Sequence, residues 1–218
     1  DEVVRTNING SENVINAAID ERVPKVVCIS SDKAVAPVNL YGATKMCMER
    51  LAVLANQYSS DTAISVVRYG NVIGSRGSIL TVLKEQVANG GLRITHADMT
   101  RFWMSLPAAC AFVWRAQASM KGGEIYIPKL PSAYVLDLCR TLYPDASVAF
   151  TGLRNGEKMH EILSNGYEVV RDDGWAYTVR EGEWEPDGQV ISSAKWPTPA
   201  AQLLALPEIA KEVSRAAA

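Results

Sequence analysis

The sequence predicts an α/β fold built on a parallel sheet, and two observations support that prediction. Segments with helical spacing of apolar residues alternate with short β-branched runs along most of the chain. Strands that alternate with helices are typical of a parallel sheet whose strands are joined by helical crossovers. The 218 residues, 48% of them apolar and 21% charged, are enough for one large globular domain or somewhat more.

The predicted elements follow one another in a regular order. Residues 7–22 have helical spacing, and the β-branched run 23–29 predicts the first strand. Further helices are predicted near 41–58, 78–89, 107–120 and 133–142, and further strands at 64–68 and 124–127. After about residue 164 the sequence becomes polar and contains Trp and Gly, which predicts a hairpin or an irregular segment before a last helix from Pro207.

Composition argues against several classes of partner and site. The net charge of −2 gives no reason to expect nucleic acid or an anionic membrane as a partner. No apolar run approaches the ~18 residues of a membrane span, and no signal peptide opens the chain, so we expect a cytoplasmic protein. The four cysteines lie far apart without a C-x-x-C motif, and His96 and His160 have no ligand pattern around them. Buried free thiols and no metal site are therefore expected.

The run NLYGATK places Tyr41 and Lys45 four residues apart in a predicted helix. This spacing puts both side chains on one helix face. An ammonium beside a phenol favours the phenolate, so the pair could make Tyr41 a general base near neutral pH. A lone Tyr-x-x-x-Lys match is weak evidence, but here it follows a β-rich run and the polar cluster Ser31-Asp32-Lys33.

Several stretches in one order resemble the extended short-chain dehydrogenases/reductases that act on nucleotide sugars. Within that superfamily they are similar to UDP-N-acetylglucosamine 4,6-dehydratases that invert carbon 5. The stretches are TNINGSENVINAA (6–18), SSDKAVAPVNLYGATK (30–45), VVRYGNVIGSRGS (66–78), MTRFWMSL (99–106), GGEIYIPKLPS (122–132) and RNGEKMHE (154–161). Six ordered matches are far more specific than any one of them.

The resemblance implies roles for the residues around Tyr41. Tyr41 would remove the proton of the sugar 4-hydroxyl as hydride leaves carbon 4, with Lys45 assisting it and Ser31 orienting the hydroxyl. The resulting 4-ketone acidifies the carbon 5 proton, so that Lys33 and Asp32 become candidates for the base and acid of the elimination. Members that retain the configuration at carbon 5 carry Asp-Glu where this chain has Asp32-Lys33, so the lysine resembles the inverting type.

The resemblance also implies binding residues, with NADP or NAD as cofactor and a UDP-sugar as substrate. The implied cofactor-binding residues are Ser30, Tyr41, Lys45 and Val72, and the implied substrate-binding residues are Asn71, Arg76, Ser78, Arg101 and Arg154. Arginines suit a diphosphate because they donate two hydrogen bonds to it at once. Glu157 and Lys158 could orient Arg154 or cap a helix beginning there, whereas Phe102 and Trp103 are expected in the core.

The residue chemistry leaves the state of Lys33 open. The adjacent Asp32 carboxylate favours a charged lysine, whereas burial and the Lys45 charge favour a neutral one. A lysine base requires the second pair of effects to dominate, or Asp32 to be protonated. The plainer alternative is that Asp32-Lys33 is a solvated turn and Tyr41 a packing residue.

A glycine-rich dinucleotide turn is not recognisable in the sequence. The run Gly70 to Gly77 has the wrong glycine spacing for G-x-G-x-x-G, so we expect the N-terminal cofactor-binding portion of a typical member to have no counterpart here. The prediction is an incomplete Rossmann-like parallel sheet in residues 1–90. Residues 91–218 would form a small, mainly substrate-binding portion, with one strand near 124–127 returning to the sheet.

The resemblance implies a nucleotide-sugar 4,6-dehydratase of surface polysaccharide or glycan biosynthesis, with UDP-N-acetylglucosamine as the first substrate to test, and two alternatives remain open. A nucleotide-sugar 4,6-dehydratase uses both the Tyr41-Lys45 pair and the Asp32-Lys33 pair. A nucleotide-sugar 4-epimerase needs Tyr41 and Lys45 but no Asp-Lys pair, and a non-catalytic remnant would only bind a UDP-sugar or a partner chain. An incomplete sheet also predicts a homo-oligomer or pairing with a complementary N-terminal chain.

Overall fold

The computed structural model describes residues 1–75, 79–184, 191–193 and 211, and it divides the chain into two compact units. The first unit contains residues 1–69, 111–129 and 162–191, and the second contains 70–110, 130–161 and 192–218. The units interleave along the sequence. The boundary predicted at residue 90 concerned cofactor and substrate binding and stays a prediction.

Helices and strands appear in the predicted α/β order. The helices are α1 (Glu2–Val4), α2 (Gly10–Asp20), α3 (Leu40–Leu54), α4 (Ile79–Ala88), α5 (Leu106–Ser119) and α6 (Val135–Leu142). A π-helical segment, Arg5–Asn9, joins α1 to α2, and short 3₁₀ turns occupy Asp32–Ala34 and Ala55–Gln57. The strands are β1 (Lys25–Ser31), β2 (Ala63–Tyr69), β3 (Asn71–Val72), β4 (Leu92–Ile94), β5 (Thr100–Met104), β6 (Glu124–Pro128), β7 (Ser132–Tyr134), β8 (Val148–Phe150), β9 (Ile162–Ser164), β10 (Glu168–Asp172), β11 (Ala176–Trp184) and β12 (Ile191–Ser192).

A five-stranded sheet in the order β1-β2-β6-β11-β10 forms the centre of the first unit. Strands β1, β2 and β6 are parallel, as predicted, and the returning strand β6 follows the expected 124–127 closely. The segment after residue 164 is a hairpin, β10 and β11, in which β11 pairs antiparallel with β6. The sheet is therefore mixed, because the hairpin adds two antiparallel strands that the sequence did not place in it.

The register of β1 and β2 determines which polar residues meet at the carboxyl edge of the sheet. Ser30 lies opposite Arg68 and Ser31 lies opposite Tyr69. In open α/β sheets, ligands bind beyond the carboxyl ends of the parallel strands. The end of β1 is therefore where a functional site is expected.

The second unit has its own apolar core. Two small sheets, β3-β5-β7 and β4-β8, belong to it. Trp103 and Phe102 on β5 are 1% and 0% exposed, which confirms that both are core residues. The remaining members of the core cluster around Trp103 are Ile73, Leu83, Leu92, Ile94, Met99, Ala133, Val135, Leu136, Leu138 and Cys139.

Three further observations concern the sequence predictions. All four cysteines are free, as predicted, but only Cys139 is buried: Cys28 and Cys47 are half-buried and Cys110 is exposed. Within the described residues, none of the helices is both long and apolar enough to cross a membrane, and no group of three or more His, Cys, Asp or Glu side chains could hold a metal ion. Arg76, Ser78 and most of the predicted last helix from Pro207 lie outside the described residues.

Candidate active site

The Asp32-Lys33 pair follows directly after the last residue of β1. Ser31 closes the strand, and its hydroxyl accepts a hydrogen bond of 3.2 Å from the Lys33 backbone N–H. This bond caps the 3₁₀ turn Asp32–Ala34, as a serine side chain commonly does at the start of a helical turn. The turn fixes the position of both ionisable residues relative to the strand.

Asp32 and Lys33 form an ion pair. The Lys33 Nζ lies 2.9 Å from Asp32 Oδ1, and the side chains are 39% and 1% exposed, respectively. A buried carboxylate at this distance favours the charged lysine, the first of the two effects weighed from the sequence. Because Asp32 is buried, the pair is more than a solvated turn.

Helix α3 carries Tyr41 and Lys45 four residues apart, as predicted. The helix begins after Asn39, whose Oδ1 accepts a 2.9 Å hydrogen bond from the Gly42 N–H. Tyr41 is 42% exposed at the first turn, and Lys45 Nζ donates to the Ile29 carbonyl of β1 at 3.0 Å. The lysine is thereby held between the helix and strand β1 near its carboxyl end.

The surroundings of Lys45 act on its charge in opposite directions. Burial lowers the pKa of Lys45, while the Cys28 thiolate, when it forms at high pH, and the Glu49 carboxylate act to raise it. The net shift is downward, so that burial dominates. Any group that helps to keep the ammonium charged therefore affects how well it can favour a Tyr41 phenolate.

Gly42 allows α3 to approach the Asp32–Ala34 turn. A Cβ at residue 42 would overlap the Lys33 carbonyl oxygen and would lie 3.0 Å from Pro37 Cβ. The close approach places the Asp32-Lys33 turn against the first turn of α3, which carries Tyr41. No role was predicted for Gly42 from the sequence, although its position between Tyr41 and Lys45 could have indicated a close contact of this helix.

We expect Gly42→Ala to destabilise the first unit by ~1–3 kcal/mol, the usual cost of adding a methyl group to a packed site. Gly10→Ala is the matched control, because its Cβ would meet only the Arg5 carbonyl, at 3.3 Å. Removing a helical glycine there should change stability by less than ~1 kcal/mol. Urea denaturation of the two variants measures the difference, and equal stabilities would contradict this role for Gly42.

A buried charge cluster involves Glu49, two helical turns after Tyr41 on α3. Arg68 of β2 donates to Glu49 Oε1 and Oε2 at 2.9 and 2.6 Å, and to Glu168 Oε1 and Oε2 at 3.0 and 3.1 Å. It also donates to the Leu163 carbonyl at 2.8 Å. Burial would lower the pKa of Arg68, but the charges and hydrogen bonds of both glutamates raise it above its ordinary value. The sequence interpretation missed this cluster.

The second unit holds the remaining described candidates. Asn71 and Val72 form β3, half-buried and paired in parallel with Trp103 and Met104. Arg101 is 8% exposed and donates to the carbonyls of Thr100, Met159 and Lys158 at 2.7, 3.1 and 3.0 Å. Its guanidinium therefore holds the 158–159 backbone.

The RNGEKMHE segment has no helix, so the expectation that Glu157 or Lys158 caps one was wrong. Gly152 and Gly156 both have φ of 80°, a left-handed conformation that interrupts a helix. Glu157 instead accepts hydrogen bonds of 3.3 Å from Thr95 Oγ1 and lies 3.8 Å from Arg101. Arg154 is exposed at the start of this segment.

The end of the same segment is anchored through His160. Its Nδ1 lies 2.8 Å from Thr100 Oγ1, which in turn lies 2.7 Å from Ser193 Oγ. Burial, followed by the Arg101 charge, lowers the pKa of His160. Both effects favour a neutral imidazole, which suits a ring nitrogen that accepts or donates within a hydrogen-bonded chain.

The structure thus places Ser30, Ser31, Asp32, Lys33, Tyr41 and Lys45 together in the first unit, at the end of β1 and the start of α3. Asn71, Val72, Arg101 and Arg154 belong to the second unit. The roles predicted for these residues stay predictions.

The chain is similar to several known proteins. It is 47% identical over 166 residues to the UDP-N-acetylglucosamine 4,6-dehydratase (inverting) of Campylobacter jejuni strain 81-176, covering 74% of this chain and 50% of that protein. It is 37% identical over 204 residues to a UDP-glucose 4-epimerase of Rickettsia canadensis, covering 89% of this chain and 58% of that protein. The chain spans about half the length of the curated relatives it matches.

Solved structures agree with the observed fold. The X-ray structure of Pen from Bacillus thuringiensis superposes with a TM-score of 0.80 at 32% identity, covering 94% of this chain and 68% of that one. Two NAD-bound dTDP-glucose 4,6-dehydratases superpose with TM-scores of 0.61 and 0.64 at 14% and 20% identity, which shows a shared Rossmann-like fold alone. The family model described as polysaccharide biosynthesis protein matches residues 1–180. The chain belongs to the polysaccharide biosynthesis protein family.

Proposed function

We propose that these residues form the catalytic and substrate-binding part of a UDP-N-acetylglucosamine 4,6-dehydratase that inverts carbon 5. The observation that carries the proposal is the Asp32-Lys33 ion pair at the end of β1, immediately before the helix that bears Tyr41 and Lys45. The names of the Campylobacter relatives support it. Because the chain spans about half of those relatives, the proposal concerns the activity of the full-length protein.

The ion pair is suited to the elimination because it shares one proton between two groups. Moving the proton from Lys33 Nζ to the Asp32 carboxylate, 2.9 Å away, produces a neutral amine and a carboxylic acid together. The amine can then take the carbon 5 proton while the acid protonates the departing 6-hydroxyl, which leaves as water. Tyr41 acts before this step, as the base for the 4-hydroxyl proton.

The residues near the end of β1 also fit a nicotinamide dinucleotide, NAD or NADP. When bound, this cofactor accepts hydride from carbon 4 and returns it at carbon 6. The Ser30 hydroxyl is buried and has no hydrogen-bond partner among the described residues, and the ammonium of Lys45 lies nearby at the same strand. Both groups can hydrogen-bond the hydroxyl-rich ribose and the amide of such a cofactor.

A UDP-sugar 4-epimerase is the second candidate, and the similarity to the Rickettsia proteins of that name favours it. An epimerase needs the Tyr41-Lys45 pair but has no use for an Asp-Lys pair beside the strand end. A non-catalytic protein that only binds a UDP-sugar remains the third. The full-length protein incubated with UDP-N-acetylglucosamine and NADP or NAD distinguishes them, because the dehydratase gives a 4-keto-6-deoxy product detectable by NMR. Formation of UDP-N-acetylgalactosamine alone would support the epimerase, and no conversion would overturn both enzyme proposals.

We expect Arg154→Ala to weaken UDP binding by ~1.5–3 kcal/mol, the range for a hydrogen bond to a charged group. Arg154 is exposed, so the variant should retain its unfolding free energy. Arg101→Ala is the contrasting variant, because Arg101 is 8% exposed and the change removes its three hydrogen bonds to backbone carbonyls, so that stability should also fall. Calorimetry with UDP measures the binding, and an unchanged affinity in Arg154→Ala would contradict the assignment.

We also propose that this chain self-associates or pairs with a complementary chain along β1. Strand β1 ends the five-stranded sheet, where among the described strands it pairs with β2 alone, and Ile29 on it is 40% exposed. A groove beside it is lined by apolar side chains that include Val14, Val26 and Ile29. Unpaired strand edges of this kind recruit another strand.

Light scattering should therefore show a species larger than a monomer for a chain of these 218 residues. Ile29→Lys, a charge on the strand edge, should reduce the association. A monomer that binds NADP tightly with one-to-one stoichiometry would contradict the proposal.

A further inference from the structure

Glu49 lies one helical turn beyond Lys45 on α3, at the spacing that brings two side chains onto one face. Its side chain is 1% exposed, so its carboxylate cannot form hydrogen bonds with solvent. Both of its oxygens instead accept hydrogen bonds from Nε and Nη2 of Arg68. A buried carboxylate one turn from the candidate catalytic lysine is thus fixed in one orientation.

The cluster that fixes Glu49 carries an excess negative charge. Two carboxylates, Glu49 and Glu168, face one guanidinium, and every N–H of Arg68 is used by them or by the Leu163 carbonyl. An arrangement built only to neutralise Arg68 would need one carboxylate. The second leaves a buried negative field near α3, where low dielectric keeps it effective.

The other titratable groups described around Lys45 do not supply a comparable negative charge at neutral pH. Among the described residues that line the groove around Lys45 from α2, the π-helical segment and β1, the one other titratable side chain is Cys28. Burial, opposed by the Lys45 charge, raises the pKa of Cys28 to about 11, so the thiol is neutral near pH 7. The turn that packs on α3 carries Asp32 and Lys33, which pair with each other. Below the pKa of Cys28, Glu49 is therefore the negative group that opposes the effect of burial on the charge of Lys45.

We propose that Glu49 is a positioning residue that keeps the Lys45 ammonium charged beside Tyr41, and that Arg68 and Glu168 hold Glu49 in place for that task. The consequence for Tyr41 rests on the proposed dehydratase function. The effect on Lys45 does not, because it requires neither substrate nor cofactor.

The test measures the protonation of Lys45 itself. The protein is labelled with trace acetic anhydride across a range of pH, and the acetylated Lys45 peptide is quantified by mass spectrometry. Exposed Lys84 and Lys121 serve as internal standards in each sample. Only neutral amine reacts, so the pH of half-maximal labelling reports the charge state of Lys45 whether or not the protein is an active dehydratase.

Glu49→Gln is expected to move half-maximal labelling of Lys45 to lower pH, with Lys84 and Lys121 unchanged. Glu49→Asp keeps the charge and should restore most of the wild-type value. Glu168→Gln removes a carboxylate from the same cluster on another strand and should produce a smaller shift. A purely structural role predicts no shift, or equal shifts in Glu49→Gln and Glu168→Gln, and either result overturns the proposal.

Circular dichroism shows whether each variant is folded. If Glu49→Gln unfolds, the triple variant Glu49→Gln, Arg68→Met, Glu168→Gln replaces it, because it leaves no unpaired buried charge. The same downward shift of Lys45 labelling is expected there, and wild-type labelling in that folded triple variant would overturn the proposal.

Discussion

Lys33→Ala should abolish elimination in the full-length protein while leaving the first half-reaction intact. General acid–base groups contribute ~10²–10⁴-fold to rate, so the 4-keto-6-deoxy product should fall by at least that factor. Tyr41 and Lys45 remain in place on α3, so bound cofactor should still be reduced when UDP-N-acetylglucosamine is added. Nicotinamide fluorescence reports the reduction, and NMR reports the product.

Lys129→Ala is the matched control for the loss of a lysine. Its ammonium pairs with Asp172 at 2.6 Å on strand β10, in the hairpin that extends the sheet, and it has no proposed role in the chemistry. Activity should be unchanged in that variant. If Lys33→Ala forms product at a rate comparable to wild type, Lys33 is not the base for carbon 5.

Arg68→Met should destabilise the first unit by ~3–5 kcal/mol, the usual result of breaking a buried ion pair. Arg68 is 1% exposed and its guanidinium binds both Glu49 and Glu168, so its loss leaves two buried carboxylates without their partner. Lys129→Met, which breaks a more exposed pair, should cost no more than ~1 kcal/mol. Urea denaturation at constant pH measures both.

Removing the two unpaired carboxylates tests why Arg68→Met loses stability. Arg68→Met combined with Glu49→Gln and Glu168→Gln should be more stable than Arg68→Met alone, because the triple variant leaves no unpaired carboxylate. If the two added substitutions instead lower stability further, unpaired charge is not the cause of the destabilisation.

The parts of the fold that could be predicted from the sequence are those with local signals. The spacing of Tyr41 and Lys45 and the β-branched run before Ser30 indicated one helix and one strand, and both are present. Strands of two or three residues, such as Asn71–Val72 and Ser132–Tyr134, are too short to show a period of two. The helix predicted at Arg154 is absent because Gly152 and Gly156, on either side of it, adopt left-handed conformations.

Contacts between distant residues explain what the sequence could not reveal. Arg68 reaches Glu49 across 19 residues and Glu168 across 100, and no motif marks either pairing. The segment after residue 164 was predicted as a hairpin or an irregular segment, but its pairing with β6, in which Thr178 lies opposite Tyr126, joins residues that are far apart in the sequence. The buried state of Asp32 likewise depends on the packing of α3 on the turn, which Gly42 makes possible.

The most direct test of the proposed function is the fate of carbon 5 in deuterium oxide. A base that removes the carbon 5 proton and exchanges with solvent, as the partly exposed Lys33 can, introduces deuterium at that carbon. Inversion further requires the new proton to arrive on the opposite face. NMR of the product formed by the full-length protein from UDP-N-acetylglucosamine should show deuterium at carbon 5 and the L-arabino configuration. A D-xylo product, or a carbon 5 that keeps its original hydrogen, would contradict the account.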